Sequence, residues 1–305
     1  MIKIKKVLTN NYISKTKIPD ADYVINPYIG CPHKCIYCYA EFMKTFTNHA
    51  ESWGDFLDVK ICSQPLNVKK LMGKRVVIGT VTDAYNKYEE KYRITRKILE
   101  SLVYVNSEIS ILTKSNLVTR DIDLFKKMTN VEITFSMNTL DDNFRKDMEP
   151  FAASINERIE ALKILIKNGI KTSIFLSPMF PGITDFKAII RTLKNYSQSF
   201  WFENLNLYPS CKNKILRYID IKYPQLKDLY QDICIAKNMS YWKWLEREIV
   251  RYCQEHGIKH SIFFYHSKIK KNSTSKNIRK NQCTSVFIEN LLTSYPQTIL
   301  NPTST

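Results

Sequence analysis

Cys31, Cys35 and Cys38 fall within eight consecutive positions of "NPYIGCPHKCIYCYAEFM", residues 26–43. Thiolates are soft ligands, and three of them spaced C-x3-C-x2-C in a short loop can hold a transition metal or a cluster. Gly30 and Pro32 favour a tight turn that brings the three side chains toward one point. A structural zinc site needs a fourth Cys or His close by. His33 is the local candidate, but it lies inside the first gap, where a side chain tends to point away from its neighbours' focus. No second C-x2-C or H-x3-H pair completes a mixed site. An iron–sulfur cluster explains the count better, because Cys thiolates are its natural ligands. A four-iron cluster held by three cysteines leaves one iron open, and an open position is what a reactive site keeps. The fourth place is therefore expected to receive a substrate or cofactor.

Bulk properties narrow the setting. The 305 residues are 44% apolar and 12% aromatic, enough for a large core. No stretch approaches the roughly 18 to 20 uninterrupted apolar residues of a membrane span. The start, MIKIKKVLTNNYISK, has no apolar leader core, so a cytoplasmic protein with no membrane contact is expected. Reduced cysteines follow from that setting, and Cys62, Cys211, Cys234, Cys253 and Cys283 read as small buried hydrophobes. The net charge of +17 hints at nucleic-acid or other acidic partners. It is a weak hint, because only 11 of the 46 basic residues are Arg and five units of the excess lie in the tail from Ser267.

The elements that must position the cysteines alternate. Strands are expected at 76–81, 108–113, 131–137, 171–177, 200–207 and 259–265, with helical runs between them. In "SINERIEALKILIKNG", Ile155, Ile159, Leu162 and Ile166 form one apolar stripe; Ser154 and Glu157 form a capping box, and Gly169 stops the helix. Such alternation implies right-handed parallel βαβ units in a barrel or an open sheet. Two helices, at 213–235 and 240–256, precede the last strand. Residues 1–266 form the expected domain, with the cysteine loop at 26–43, and 267–305 a flexible basic tail in which "VFIENLL" is a candidate docking helix.

With Tyr37 just before the last cysteine, the loop resembles the signature of the radical S-adenosylmethionine (SAM) superfamily. "TDAYNKYEEKYRITRKILE", "LTKSNLVTRDIDL", "EPFAASINERIEALKILIKNGI" and "SPMFPGITD" extend the resemblance over about residues 18 to 266. They resemble the spore-photoproduct-lyase-like branch, and most closely the radical SAM proteins encoded as mobile pairs. The resemblance implies an α/β fold: a partial (β/α)6 TIM-type barrel of parallel strands, here with C-terminal helices, one extra strand and the tail. It also implies a [4Fe–4S] cluster on Cys31, Cys35 and Cys38, SAM on the open iron, and a flavodoxin- or ferredoxin-like electron donor. A second radical SAM protein is a further implied partner.

Barrel sites lie at the carboxyl ends of the strands, and the resemblance assigns polar residues there. Tyr37 belongs to the cofactor contacts. Thr82 and Asp83 stand where the superfamily meets the SAM amino group. Lys114, with Ser115 beside it, is the candidate for the SAM carboxylate; Ser136 and Asn138 suit ribose hydroxyls. Arg158 offers a bidentate grip on a carboxylate, and Asn204 the adenine edge. Each has an ordinary structural use as well: Thr82 and Asp83 as turn caps, Lys114 and Arg158 as solvated charges, Ser136 as a backbone partner. Glu203 and Asn206 are further candidates for the site wall, and the aromatics near Trp242 read as core.

One departure bears on the reaction. In spore photoproduct lyases a cysteine ahead of the Ser-Asp pair donates a hydrogen atom to the product radical. Here "GTVTDAY" places Thr80 there, and a threonine O–H bond is much stronger than a thiol S–H. Thymine-dimer repair is disfavoured, with Cys62 or Cys211 as substitute donors. Three readings stand: a radical SAM enzyme of undetermined substrate, a nucleic-acid lyase or modifying enzyme, and a non-catalytic iron–sulfur or zinc scaffold.

Overall fold

Strand pairing follows the alternation of the sequence. The computed structural model describes residues 2–18 and 21–264; the tail from 267 and its VFIENLL run lie outside the described residues. The strands are β1 (Lys3–Thr9), β2 (Ile13–Lys15), β3 (Tyr23–Ile25), β4 (Tyr28–Ile29), β5 (Phe56–Cys62), β6 (Arg75–Ile78), β7 (Glu108–Thr113), β8 (Val131–Ser136), β9 (Lys171–Met179), β10 (Ser199–Asn204) and β11 (His260–Ile262). The helices are α1 (Glu89–Tyr92), α2 (Ile94–Leu102), α3 (Ile122–Phe125), α4 (Asp142–Met148), α5 (Ile155–Lys167), α6 (Phe186–Leu193), α7 (Pro209–Lys222), α8 (Lys227–Cys234) and α9 (Ser240–Glu255).

The main sheet runs β2-β3-β6-β7-β8-β9-β10-β11, and every neighbouring pair is parallel except β2 with β3. It is open, with β2 and β11 at its edges. The six strands β3 and β6–β10 are the expected partial barrel, and β11 is the extra strand. Ile78, Ile111, Ile133, Phe135, Ile174, Leu176 and Phe202 from the sheet pack with Leu99, Leu162, Leu165, Leu193 and Ile249 from the helices. Burying side chains of this size contributes roughly 1.5–3 kcal/mol each. No helix among the described residues is long and apolar enough to cross a membrane.

Local chemistry explains where expected elements shift. The strand expected at 76–81 stops at Ile78, because Gly79 turns the chain with φ +88°. A Cβ on Gly79 would lie 2.7 Å from the Leu112 carbonyl oxygen, so strand β7 approaches too closely for a larger residue. The strand expected to reach residue 207 ends at Asn204, after an irregular register against β9. The helix expected over 213–235 is split into α7 and α8. Pro224 has no N–H to donate, and α7 ends two residues before it. The capping box is present as expected: Ser154 Oγ accepts from the Glu157 N–H at 3.3 Å, and Glu157 Oε2 accepts from the Ser154 N–H at 2.7 Å.

A second, three-stranded sheet was not expected. β5 pairs with β1 in parallel and with β4 antiparallel. The run "DYVINPYIG" thereby divides at Asn26-Pro27, with β3 joining the main sheet and β4 the small one. This division aims the residues after β4 across the carboxyl end of the main sheet.

Candidate metal and cofactor site

The cysteine loop leaves β4 through Gly30, whose φ is +89°. A Cβ there would come within 2.4 Å of the Phe56 carbonyl oxygen, so the loop presses directly on β5. Turns close over the first and last gaps: the Lys34 N–H donates to Cys31 O at 3.3 Å and the Cys38 N–H to Cys35 O at 3.2 Å. The loop is also clamped by the last residue of α4 and the segment after it. The Ile36 N–H donates to Met148 O at 3.0 Å, and the Phe151 N–H to His33 O at 3.3 Å.

Burial decides the state of the thiols. It pushes Cys31 up to about 12, reinforced by Asp83 and Cys38. It pushes Cys35 well above the usual thiol range, with Lys114 pulling the other way. Cys38 is raised by burial too, although the Trp53 indole N–H donates to its Sγ at 3.3 Å. Without a metal the three are therefore protonated, and binding one must expel protons. Charge on any one of the three thiols would be felt by the others, and a cluster can take one thiolate on each of three irons.

The residues expected at the strand ends occupy two tiers. Thr82 and Asp83, after β6, hold the loop and its neighbours. Thr82 Oγ1 donates to Gly30 O at 2.7 Å. Asp83 accepts from Thr113 Oγ1 at 2.9 Å, from the Lys114 N–H at 2.7 Å and from the Tyr85 N–H at 2.8 Å, with His33 Nδ1 at 3.4 Å. His33 thus faces a strand-end carboxylate, and burial lowers its pKa. Arg158 is fully buried and already engaged: it pairs with Glu149 and donates to Ser136 O at 2.9 Å and Ala153 O at 2.9 Å. It is not the solvated charge considered from the sequence. Tyr37 donates to the other oxygen of Glu149, and its ring meets Phe180 edge-on at 5.7 Å.

The second tier is open. Lys114 Nζ lies 5.8 Å from the Tyr37 ring centroid, with no carboxylate within 4 Å among the described residues. Burial opposes its charge, but Glu149 and Cys35 more than offset this, and its pKa is raised. Asn138 and Asn204 are both buried, and their Oδ1 atoms have no hydrogen-bond partner. Asn138 does donate weakly to the Tyr37 hydroxyl at 3.5 Å, and Asn204 donates to Asn206 Oδ1 at 3.2 Å. Orphan acceptors at the ends of β8 and β10, with a cation at the end of β7, fit a ligand that carries hydroxyl or amino donors and a carboxylate. Ser136 is buried beneath them and lends its carbonyl to Arg158.

Some site residues carry no spacing signal. Glu149 ends α4 in an ordinary-looking Glu-Pro step, and its partners lie 112 and 9 residues away. Trp53 and Asn26 are likewise invisible until the chain folds. Asn26 donates to Thr80 Oγ1 at 3.0 Å and accepts from the Val81 N–H at 3.1 Å, which ties up the threonine that stands in the hydrogen-donor position. Glu203 accepts from Ser177 Oγ near the same strand ends. Cys211 is buried, and charge on it and on Cys38 would be mutually felt. Trp242 and Tyr241 are core, as expected.

Comparison with known proteins agrees with this architecture. The chain is 42% identical over 248 residues to the uncharacterized protein MJ0683 of Methanocaldococcus jannaschii, covering 81% of this chain and 92% of that one. It is 26% identical over 167 residues to the radical SAM Nalpha-GlyT isomerase of Pseudomonas phage M6, covering 52% of this chain and 33% of the other. Among solved structures, spore photoproduct lyase complexed with dinucleoside spore photoproduct superposes with a TM-score of 0.54 at 18% identity, over 73% of this chain and 66% of that one. That likeness concerns the fold. The family model of the Radical SAM superfamily matches residues 25–193, from the last residue of β3 through α6. The stretch holds the cysteine loop and all but one of the assigned contacts, and the chain belongs to the radical SAM superfamily.

Proposed function

We propose that the chain is a radical SAM enzyme whose Cys31, Cys35 and Cys38 carry a [4Fe–4S] cluster with SAM on its open iron. The observation that carries this reading is the unsatisfied tier beside the thiols: Lys114, Asn138 and Asn204. When bound, the cluster and SAM supply reductive cleavage of SAM to a 5′-deoxyadenosyl radical that abstracts a hydrogen atom from the substrate. The protein's own residues bind, orient and shield. Lys114 takes the SAM carboxylate, Asn138 and Ser136 the ribose hydroxyls, Asn204 the adenine edge, and Thr82-Asp83 border the amino group. Arg158 acts through Glu149, which holds the Tyr37 ring beside the last cysteine.

A specific observation favours the nucleic-acid reading of the substrate. Tyr39, Phe42, Phe46 and Tyr208 are exposed and contiguous, with centroid separations of 6.2 to 6.5 Å. Tyr39 also donates to the Thr80 carbonyl at the end of β6. Exposed rings in a row can stack bases, and the spore photoproduct lyase structure contains a dinucleoside. The engaged hydroxyl of Thr80 argues against repair by the lyase route.

The test is anaerobic reconstitution with iron and sulfide, then dithionite and SAM, with 5′-deoxyadenosine quantified against Cys31→Ala. We expect product from the parent chain and none from the variant. A full four-iron cluster without product would leave a scaffold, and zinc in protein isolated without oxygen would overturn the cluster. Salt-dependent binding of a single-stranded oligonucleotide, lost in Phe42→Ala, supports the nucleic-acid substrate.

A further inference from the structure

We propose that Trp53 sets the reduction potential of the cluster through its indole N–H on Cys38 Sγ, an inference that rests on the cluster reading above. The donor lies 3.3 Å from the sulfur. The Asp83 and His33 backbones hydrogen-bond to Cys31, and the Ala40 backbone to Cys38. Trp53 differs from these in being a side chain, so its donor can be removed without altering the main chain. Hydrogen bonds to the sulfurs are among the means by which a protein sets the potential of an iron–sulfur cluster.

The sign follows from charge. An electron entering the cluster raises the negative charge on its thiolate sulfurs. An N–H aimed at one of them stabilises the reduced form more than the oxidised form, and so raises the potential. In a low-dielectric interior such a bond is electrostatically stronger than in water. Free Cys38 shows the same preference: burial raises the thiol, while the Ala40 backbone and the Trp53 N–H favour the thiolate.

The indole is held from the start of β5, in the small sheet. Its ring meets Phe56 edge-on at 5.7 Å, and the His49 imidazole stacks on Phe56 at 3.9 Å. His49 is fixed in turn, with Nδ1 2.9 Å from Glu51 and Nε2 2.8 Å from Asp58. Glu51 also accepts from Lys3 of β1 at 2.6 Å. The residues that follow Trp53 grip the other end of the cysteine loop. A Cβ on Gly54 would lie 3.4 Å from Cys31 O, Asp55 pairs with Lys34, and the Phe56 carbonyl presses on Gly30. Residues 53–56 thus each meet the loop, and the small sheet fixes the indole relative to it. Packing on Phe56 accounts for the ring, but not for an N–H turned toward a sulfur.

The experiment is an anaerobic redox titration of the reconstituted full chain without SAM, followed by the electron paramagnetic resonance of the reduced cluster. Trp53 is replaced by benzothienylalanine, which keeps the bicyclic ring and puts a sulfur where the N–H was. Trp53→Phe and Trp244→Phe, the latter a half-buried ring on α9, are titrated beside it. We expect the benzothienyl chain to retain the parent's iron and to be about tenfold harder to reduce, a fall of about 59 mV in a one-electron midpoint. Trp53→Phe should move in the same direction, and Trp244→Phe should stay at the parent's midpoint. A full cluster with an unchanged or higher midpoint in the benzothienyl chain, or an equal fall in Trp244→Phe, would overturn the proposal. Loss of iron from the benzothienyl chain would overturn it as well, because the N–H would then be a condition of loading. A parent chain that takes up no four-iron cluster would instead overturn the reading on which it rests.

Discussion

Two buried charge clusters lie beside neighbouring strand ends, and they close to different degrees. In the outer one, Glu89 accepts from the Tyr28 hydroxyl, from the Thr95 N–H at 2.9 Å and from Arg120 at 2.7 Å. Asp121 accepts from Tyr85 at 3.0 Å, from Arg96 at 2.7 Å and from Arg120 at 2.7 Å. Arg96 also reaches Asp123 at 2.7 Å. The network is complete within the chain, so it ties α1 and α2 to the turn after β7 and needs nothing else. In the inner cluster, Tyr37 and Arg158 saturate Glu149, but its border does not close. Among the described residues Lys114 Nζ has no carboxylate within 4 Å, and the Oδ1 atoms of Asn138 and Asn204 are buried with no donor. An unsatisfied buried polar group costs roughly 1–3 kcal/mol. Beside three thiols, such groups suit the ligand proposed above, whereas the outer network has no such vacancy among its own members.

Cutting each network tests this contrast most strongly. Glu149→Gln leaves the buried Arg158 short of its carboxylate, which costs about 3–5 kcal/mol for a buried pair, and Glu89→Gln costs less, because Arg120 keeps Asp121 at 2.7 Å. Both should lower the urea midpoint. Only Glu149→Gln should also reduce iron retained after reconstitution, because it frees Tyr37 next to Cys38. Equal iron loss in both variants would erase the distinction.

Lys114→Met separates binding from stability. Since Lys114 forms no ion pair among the described residues, the melting midpoint should change little. SAM affinity should fall by a factor on the order of ten to one hundred, the loss of one charged hydrogen bond of about 1.5–3 kcal/mol. Equilibrium dialysis on the reconstituted chain measures it, and unchanged affinity would remove Lys114 from the site.

The two clusters also differ in how they can be read from sequence. The sheet was legible because apolar runs recur with helical runs between them; β7 falls at 108–113 as expected, and α5 carries its capping box. The cysteines were legible because their spacing is local. β1 was not, since its half-buried and exposed residues do not alternate cleanly. Its pairing depends on β5, about fifty residues away. Glu149 was missed for the same reason. Its environment comes from a loop, a strand end and a helix, and a lone carboxylate before a proline carries no period. Arg158 read as a bidentate grip on a cofactor carboxylate or as a solvated charge, and the folded pocket pairs it with Glu149.

Acid provides the smallest expected effect and still distinguishes the clusters. Burial pushes the Glu149 carboxyl up, but Arg158, Lys114 and the Tyr37 hydroxyl outweigh it, and the pKa lies below the usual 4.5. The unfolded chain therefore takes up this proton first as pH falls. The stabilisation from Glu149 is complete above about pH 4.5 and is lost as pH drops through its lower folded value. One group contributes at most ~1.4 kcal/mol per pH unit to that slope. Subtracting the pH profile of Glu149→Gln from that of the parent isolates this slope, because every other titrating group is common to both proteins. The difference should be flat from pH 7 to 5 and should shrink below 4.5. A difference that grows on acidification would mean that Glu149 is held protonated. Tyr37 would then be anchored by a neutral acid rather than by the charge that also faces Lys114.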